Sequence, residues 1–215
     1  MQKERLMVNG NNTKPWRLAF FAVIKIMCVL LVKALFKLKV SGAGNIPSNG
    51  PCILASNHVT YFDWAILSSF SPRPIRFTMF VGYFLKPLRW FFALAQVVPI
   101  CSKALDPEVY ERAFDELSSH LRQSRMICIF PEGMLTLDGE MHEFKHGIDK
   151  ILKRNPVPVV PIRLSYSLFG HWSSKSSDHY RFFNRPIIRV VFGKKMEPET
   201  VDAHSLEDVV RSLRG

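Results

Sequence analysis

The stretch Pro51-Cys52-Ile53-Leu54-Ala55-Ser56-Asn57-His58-Val59-Thr60-Tyr61-Phe62-Asp63 decides how the chain is read. Pro51–Ala55 is a short apolar run with no polar alternation, the pattern of a strand covered on both faces in a parallel sheet. It breaks off in Ser56-Asn57-His58, and a helical pattern follows over Thr60–Phe70. Further along, strand and helix patterns keep alternating. Ile75–Phe80 reads as a strand, Phe84–Ala95 as a helix with Pro87 in its first turn, and Val97–Ile100 as a short strand. Pro107–Gln123 reads as a helix because Val109, Ala113, Leu117 and Leu121 recur four residues apart. Met126–Phe130 is a strand, Gly147–Arg154 a short helix, Val157–Leu164 and Ile187–Phe192 strands, and Ser205–Leu213 a closing helix. The alternation specifies an α/β fold, a mostly parallel sheet flanked by helices. The polar and aromatic segment Ser165–Pro186, with His171, Trp172, His179 and Tyr180, is long enough to read as a functional or mobile loop.

In such sheets chemistry gathers at the carboxyl ends of strands. Two ends carry it here: Asn57-His58 with Asp63, and Phe130-Pro131-Glu132-Gly133. On one continuous helix, five residues turn by about 500°, so His58 and Asp63 would point roughly 140° apart. They meet if His58 lies in the turn and Asp63 one turn into the helix. The carboxylate would then fix the imidazole tautomer and leave the other ring nitrogen free to take a proton. The competing reading is a capping box, Thr60-x-x-Asp63, beside an ordinary turn histidine. At the second end, Pro131 stiffens the turn and Gly133 permits close backbone approach. A buried Glu132 capping a neighbouring helix would look the same. His142-Glu143-Phe144-Lys145-His146 matches the zinc pattern H-E-x-x-H, but Gly139 and Gly147 flank it too closely for the helix that pattern requires, so a solvated turn is expected and no metal site is assigned. No G-x-S-x-G elbow, Walker loop or G-x-G-x-x-G is present.

Of the net charge of +11, most belongs to one end: residues 1–40 hold eight Lys/Arg and one acid, Glu4. That asymmetry speaks for a surface-seeking basic segment and against a nucleic-acid binder. From Trp16 to Val40 every residue is apolar or cationic, the cations being Arg17, Lys25, Lys33, Lys37 and Lys39. Insertion across a bilayer is marginal, since Lys25 in the centre costs about 2.5–3.5 kcal/mol against roughly 4–7 kcal/mol from the apolar residues. A secretory signal is a poor match. A helix lying in or dipping into an anionic leaflet fits better; the alternative is a core helix of a soluble domain. The turn-rich Ser41–Gly50 sets the expected division at residues 1–41, a basic membrane-associated helical segment, and 42–215, the domain carrying both strand ends. Cys28, Cys52, Cys101 and Cys128 lie in apolar stretches without C-x-x-C spacing and read as buried free thiols of a reducing compartment.

Taken together, these residues resemble the glycerolipid acyltransferase family, the lysophosphatidic-acid-type (1-acylglycerol-3-phosphate) acyltransferases. Asn57, His58 and Asp63 match its N-H-x-x-x-x-D block, and Phe130-Pro131-Glu132-Gly133 its F-P-E-G block. Asp138-Gly139-Glu140 and Phe144-Lys145-His146-Gly147 look like its D-G-E…F-K-x-G continuation, and Val157-Pro158-Val159-Val160-Pro161 its fourth block; the likeness covers roughly residues 40–195. It implies a membrane-associated O-acyltransferase that moves a fatty acyl group from acyl-CoA or acyl carrier protein to the hydroxyl of a lysophospholipid, at the cytoplasmic face of the inner (plasma) membrane. His58 would be the general base and Asp63 its orienting partner. Asn57, Glu132, Gly133 and Thr136 would shape the acceptor site. No metal or resident cofactor is implied, the thioester being a co-substrate. The basic surface would attract an acidic carrier protein, and equally the anionic coenzyme.

Two departures bear on the acceptor. The family's second block usually ends in an Arg assigned to acceptor phosphate, where this chain has Ser102 followed by Lys103; F-P-E-G often continues T-R-S, where it has Met134-Leu135-Thr136. Arg grips phosphate with a fork, whereas Lys offers a point charge. Lys103 is the expected phosphate contact, and the headgroup stays open between a substituted phosphate, as in acylglycerophosphoethanolamine, and another hydroxylated lipid. A catalytically inactive lipid-binding or scaffolding protein of the same fold is the alternative.

Overall fold

The computed structural model describes residues 15–84, 87, 89–136, 140–166 and 187–214. In chain order the elements are α1 (Pro15–Leu35), β1 (Lys37–Ser41), β2 (Cys52–Ser56), α2 (Asp63–Phe70), β3 (Ile75–Phe80), α3 (Arg89–Ala95), β4 (Val98–Ile100), α4 (Pro107–Arg122), β5 (Met126–Ile129), α5 (Gly147–Arg154), β6 (Val159–Tyr166), β7 (Ile187–Phe192) and α6 (Ala203–Ser212). Among the described residues the strands form one seven-stranded sheet in the order β1-β7-β6-β2-β5-β3-β4. Strands β6, β2, β5, β3 and β4 are mutually parallel, while β7 runs against β6 and β1 runs with β7.

β2 is buried along its whole length because both faces of the sheet are covered. Cys52 and Leu54 pack on one face with Met126, Cys128, Val160 and Ile162, under Cys28 and Val32 of α1 and Ala65 and Ile66 of α2. Ile53 and Ala55 pack on the other with Ile127, Ile129 and Val159, under Phe114 and Leu117 of α4, Ile148 of α5 and Leu206 of α6. That two-sided burial is why the strand shows no polar alternation. The β2, β5, β3 and β4 carboxyl ends emerge on one edge, which brings the two chemistry-bearing strand ends side by side.

Several boundaries differ from expectation for identifiable reasons. α2 starts at Asp63, not Thr60, because the Asp63 carboxylate accepts the backbone N–H groups of Val59 and Thr60 and holds residues 59–62 as a turn. α3 is confined to Arg89–Ala95, after a 3-10 turn at Val81–Tyr83. α6 starts at Ala203, where Asp202 and Ser205 form a reciprocal capping box. The largest difference is β1. Residues 37–41, expected in the helical segment, pair with β7 from Lys37↔Ile187 to Ser41↔Val191, so the division at 41/42 falls at the end of a sheet strand. The helix before it is docked as well: Cys28 and Val32 are buried and Lys25 Nζ donates to the Ser71 carbonyl at 2.7 Å. Even so, α1 exposes Val23, Ile26, Met27 and Leu30, the last at 63%. No helix among the described residues is long and apolar enough to cross a membrane. Asp138, Gly139 and the side chains His171, Trp172, His179 and Tyr180 of the expected loop lie outside the described residues.

Candidate active site

Beyond β2 the chain is held by its own polar side chains. The Ser56 hydroxyl is buried and donates to the Asn57 carbonyl. The Asn57 amide takes over from the sheet ladder: its Nδ2 donates to the Leu164 carbonyl at 2.9 Å and its Oδ1 accepts from the Leu164 N–H at 2.7 Å. This two-point clamp ties the strand end to β6 and delivers His58 at the sheet edge. The His58 main chain is then fastened to the turn after β5. Its N–H donates to Glu132 Oε1 at 2.7 Å, and its carbonyl accepts from the Thr136 N–H at 2.7 Å.

The imidazole has a separate set of partners. Nδ1 lies 2.8 Å from Asp63 Oδ2, and the ring stacks on Phe130 with centroids 4.1 Å apart. Asp63 is fully buried, while the His58 side chain keeps 24% exposure. The same Oδ2 accepts from the Val59 N–H at 2.8 Å and the Thr60 N–H at 3.1 Å, and Oδ1 accepts from the Thr60 hydroxyl at 3.0 Å. A carboxylate ringed by such donors acts as the acceptor toward His58 as well. Nδ1 therefore carries the ring proton and Nε2 is left with its lone pair. The pair and the capping arrangement, which the sequence offers as alternatives, coexist: one carboxylate serves the turn backbone and the imidazole together.

Glu132 is 1% exposed and points inward. Besides the His58 N–H, it accepts from the Thr136 hydroxyl and from the His142 N–H, both at 2.7 Å through Oε2. Glu132 and Thr136 thus form an internal strut between the two strand ends. Gly133 sits at the exposed end of the turn with φ +67°, a conformation that side-chain-bearing residues adopt at a cost. Lys103 is exposed and follows β4, three strand steps from β2, which is about 14 Å across the sheet. The structure brings Asn57, His58, Asp63, Glu132, Gly133 and Thr136 into one cluster and leaves Lys103 at a distance. Sequence reasoning did not single out Phe130 as the stacking partner of His58, because only the β2–β5 pairing brings the rings together.

Other candidate nucleophiles and ligands are occupied. All four cysteines are free and buried. Burial pushes the Cys28 and Cys52 thiols up to about 11, so neither offers a thiolate at neutral pH. Residues 141–145 are not helical, so His142 and His146 do not share a helix face, and the His146 Nδ1 pairs with Asp149 at 2.7 Å. No group of three His, Cys, Asp or Glu suited to a metal ion occurs among the described residues.

Comparison with known proteins points the same way as this geometry. The family model described as Acyltransferase matches residues 37–165, more than half of the chain. The chain is 29% identical over 182 residues to a chloroplastic 1-acyl-sn-glycerol-3-phosphate acyltransferase of Brassica napus, covering 84% of this chain and 51% of that protein. It is 26% identical over 191 residues to a chloroplastic protein of the same description from Arabidopsis thaliana, covering 87% and 52%. The chain thus spans about half the length of these curated relatives. The fold is similar to that of the crystal structure of the 1-acyl-sn-glycerophosphate acyltransferase PlsC from Thermotoga maritima, with a TM-score of 0.69 at 19% identity, covering 91% of this chain and 78% of that one.

Proposed function

Because the chain belongs to the acyltransferase family, we propose that it moves a fatty acyl group from a thioester, acyl-CoA or acyl carrier protein, to the free hydroxyl of a lysophospholipid. The observation that carries this reading is the His58–Asp63 pair: a partly exposed imidazole with Nδ1 held at 2.8 Å by a buried carboxylate and Nε2 left as a base. Nε2 takes the proton of the acceptor hydroxyl as its oxygen bonds to the thioester carbonyl carbon. The C–S bond then breaks, and the leaving thiolate recovers the proton from the imidazolium, so that ester and thiol are released. The carboxylate supports the transient imidazolium. Stacking on Phe130 limits rotation of the ring. The scheme calls on no metal and no resident cofactor.

The acceptor class is supported by the relatives, which are named 1-acyl-sn-glycerol-3-phosphate acyltransferases. Membrane association is supported by the exposed apolar face of α1 and by an aromatic patch beside the site. Tyr61, three residues from His58, contacts Tyr83, which contacts Phe80, and all three are more than 40% exposed. Aromatic and apolar side chains flanked by lysines suit the interface of an anionic leaflet, and we assign the chain to the cytoplasmic face of the inner membrane.

Mass spectrometry of the products formed from acyl-CoA or acyl carrier protein and a panel of lysolipids tests the reading. A new ester bond on a lysophospholipid is expected. Lipid binding without transfer from either donor would overturn the assignment and leave a lipid-binding protein of the same fold.

A further inference from the structure

The turn that follows β5 carries a second feature, at the end opposite the imidazole. Its closing hydrogen bond runs from the Gly133 N–H to the Phe130 carbonyl at 2.9 Å, so Phe130 and Gly133 are the first and last residues of one β-turn, with α-carbons less than about 7 Å apart. The His58 ring lies on Phe130. The Lys145 side chain lies across Gly133: a Cβ built on that glycine would stand 2.9 Å from Lys145 Nζ and 3.2 Å from its Cδ. One short turn therefore presents a base at one end and an ammonium group at the other.

Lys145 is exposed, but the backbone beneath it is anchored nearly residue by residue. The Met141 carbonyl accepts from Arg211, the His142 N–H donates to Glu132, the Phe144 N–H to Glu207 and the Lys145 N–H to the Pro131 carbonyl. The two carboxylates inside the site are already engaged. Asp63 holds the turn and the imidazole, and Glu132 holds three donors inside the fold. Among the described residues no carboxylate pairs with the Lys145 ammonium. A cation on an anchored backbone, within one turn of the base and without a paired carboxylate among the described residues, suits an anion a few bonds from the reacting hydroxyl, which is where a lysophospholipid carries its phosphate. Lys103 belongs instead to the segment after β4, three strands from β2 in the sheet order.

Resting on the acyl-transfer reading, we infer that Lys145 is the residue that recognises the acceptor's phosphate and so sets the preference for a phosphorylated acceptor over a neutral one. The test is equilibrium binding of lysophosphatidic acid and of monoacylglycerol, in detergent, to the full chain carrying His58→Ala, with and without Lys145→Gln, Lys145→Arg or Lys103→Gln. No donor is needed, so the result stands whether or not the protein transfers acyl groups. Lys145→Gln is expected to lower the preference for lysophosphatidic acid by about 10- to 100-fold, the worth of one charge-assisted contact. Lys145→Arg should keep most of the preference, and Lys103→Gln should change it less than twofold. A companion assay on the chain with His58 intact separates headgroup from donor: the loss should fall on the KM for lysophosphatidic acid and not on that for acyl-CoA. An unchanged preference in Lys145→Gln, a loss that follows Lys103, or a shift confined to the acyl-CoA KM would each overturn the assignment.

Discussion

At the scale of single residues, two buried carboxylates hold the site together, and they differ in how their loss should register. Asp63→Ala removes the acceptor of the Val59 and Thr60 N–H groups, and Glu132→Ala removes that of the His58 and His142 N–H groups. Each buried donor left without a partner costs about 1–3 kcal/mol, so either variant should lose roughly 2–5 kcal/mol in urea unfolding. His58→Ala, which gives up one partly exposed ring at the sheet edge, should unfold within about 1 kcal/mol of the parent. Equal stabilities for the three variants would contradict the internal struts described here. The His58–Asp63 pairing is legible in the sequence because both residues belong to one local turn. The inward aim of Glu132 is not: besides the nearby Thr136 hydroxyl, it accepts from the His142 N–H ten residues on and from the His58 N–H 74 residues back, which reaches it only after β2 pairs with β5.

At the scale of elements, α1 serves two surfaces. Cys28 and Val32 face the core, while Ile26 and Leu30, four residues apart, share an outward face at 59% and 63% exposure. Ile26→Glu combined with Leu30→Glu should abolish flotation with anionic vesicles while shifting the unfolding free energy by only about 0.5 kcal/mol per substitution, as surface changes do. Undiminished flotation would remove α1 as the membrane contact. The sequence marks this helix well, but it hides β1 behind it: Lys37-Leu38-Lys39-Val40 does alternate polar and apolar, yet it continues an unbroken apolar and cationic run that reads as more helix. In α4, burial, with Arg76 and Arg125 beside it, holds the His120 imidazolium down to about 4. Its folded value is thus depressed below the unfolded 6.5, and stability from this group falls as pH drops from 6.5 toward 4. Glu116, 3.8 Å away and raised to about 7 by burial, acts with the opposite sign between 4.5 and 7. His120→Gln isolates the first effect: between pH 6.5 and 4.5 it should lose less stability than the parent by about 2 kcal/mol. Parallel pH profiles for the two proteins would refute it.

At the scale of the whole molecule, the sheet order is what makes a site out of two short motifs. β2 and β5 are separated by about seventy residues in the chain and adjacent in the sheet, so the strand end with the imidazole and the turn with Glu132 and Gly133 share one edge. The alternation of strand and helix patterns makes the architecture legible, since the central strands β2 and β5 are apolar on both faces and buried along their length. The strand order is less legible, because nothing local states that β5 inserts between β2 and β3 or that β7 reverses direction. The account as a whole stands on His58 as the base for acyl transfer, and its most direct measurement is kcat for the purified full chain and its His58→Ala variant at saturating donor and lysophospholipid. A fall of about 100- to 10,000-fold with folding preserved is expected; turnover within a few fold of the parent would contradict the assignment.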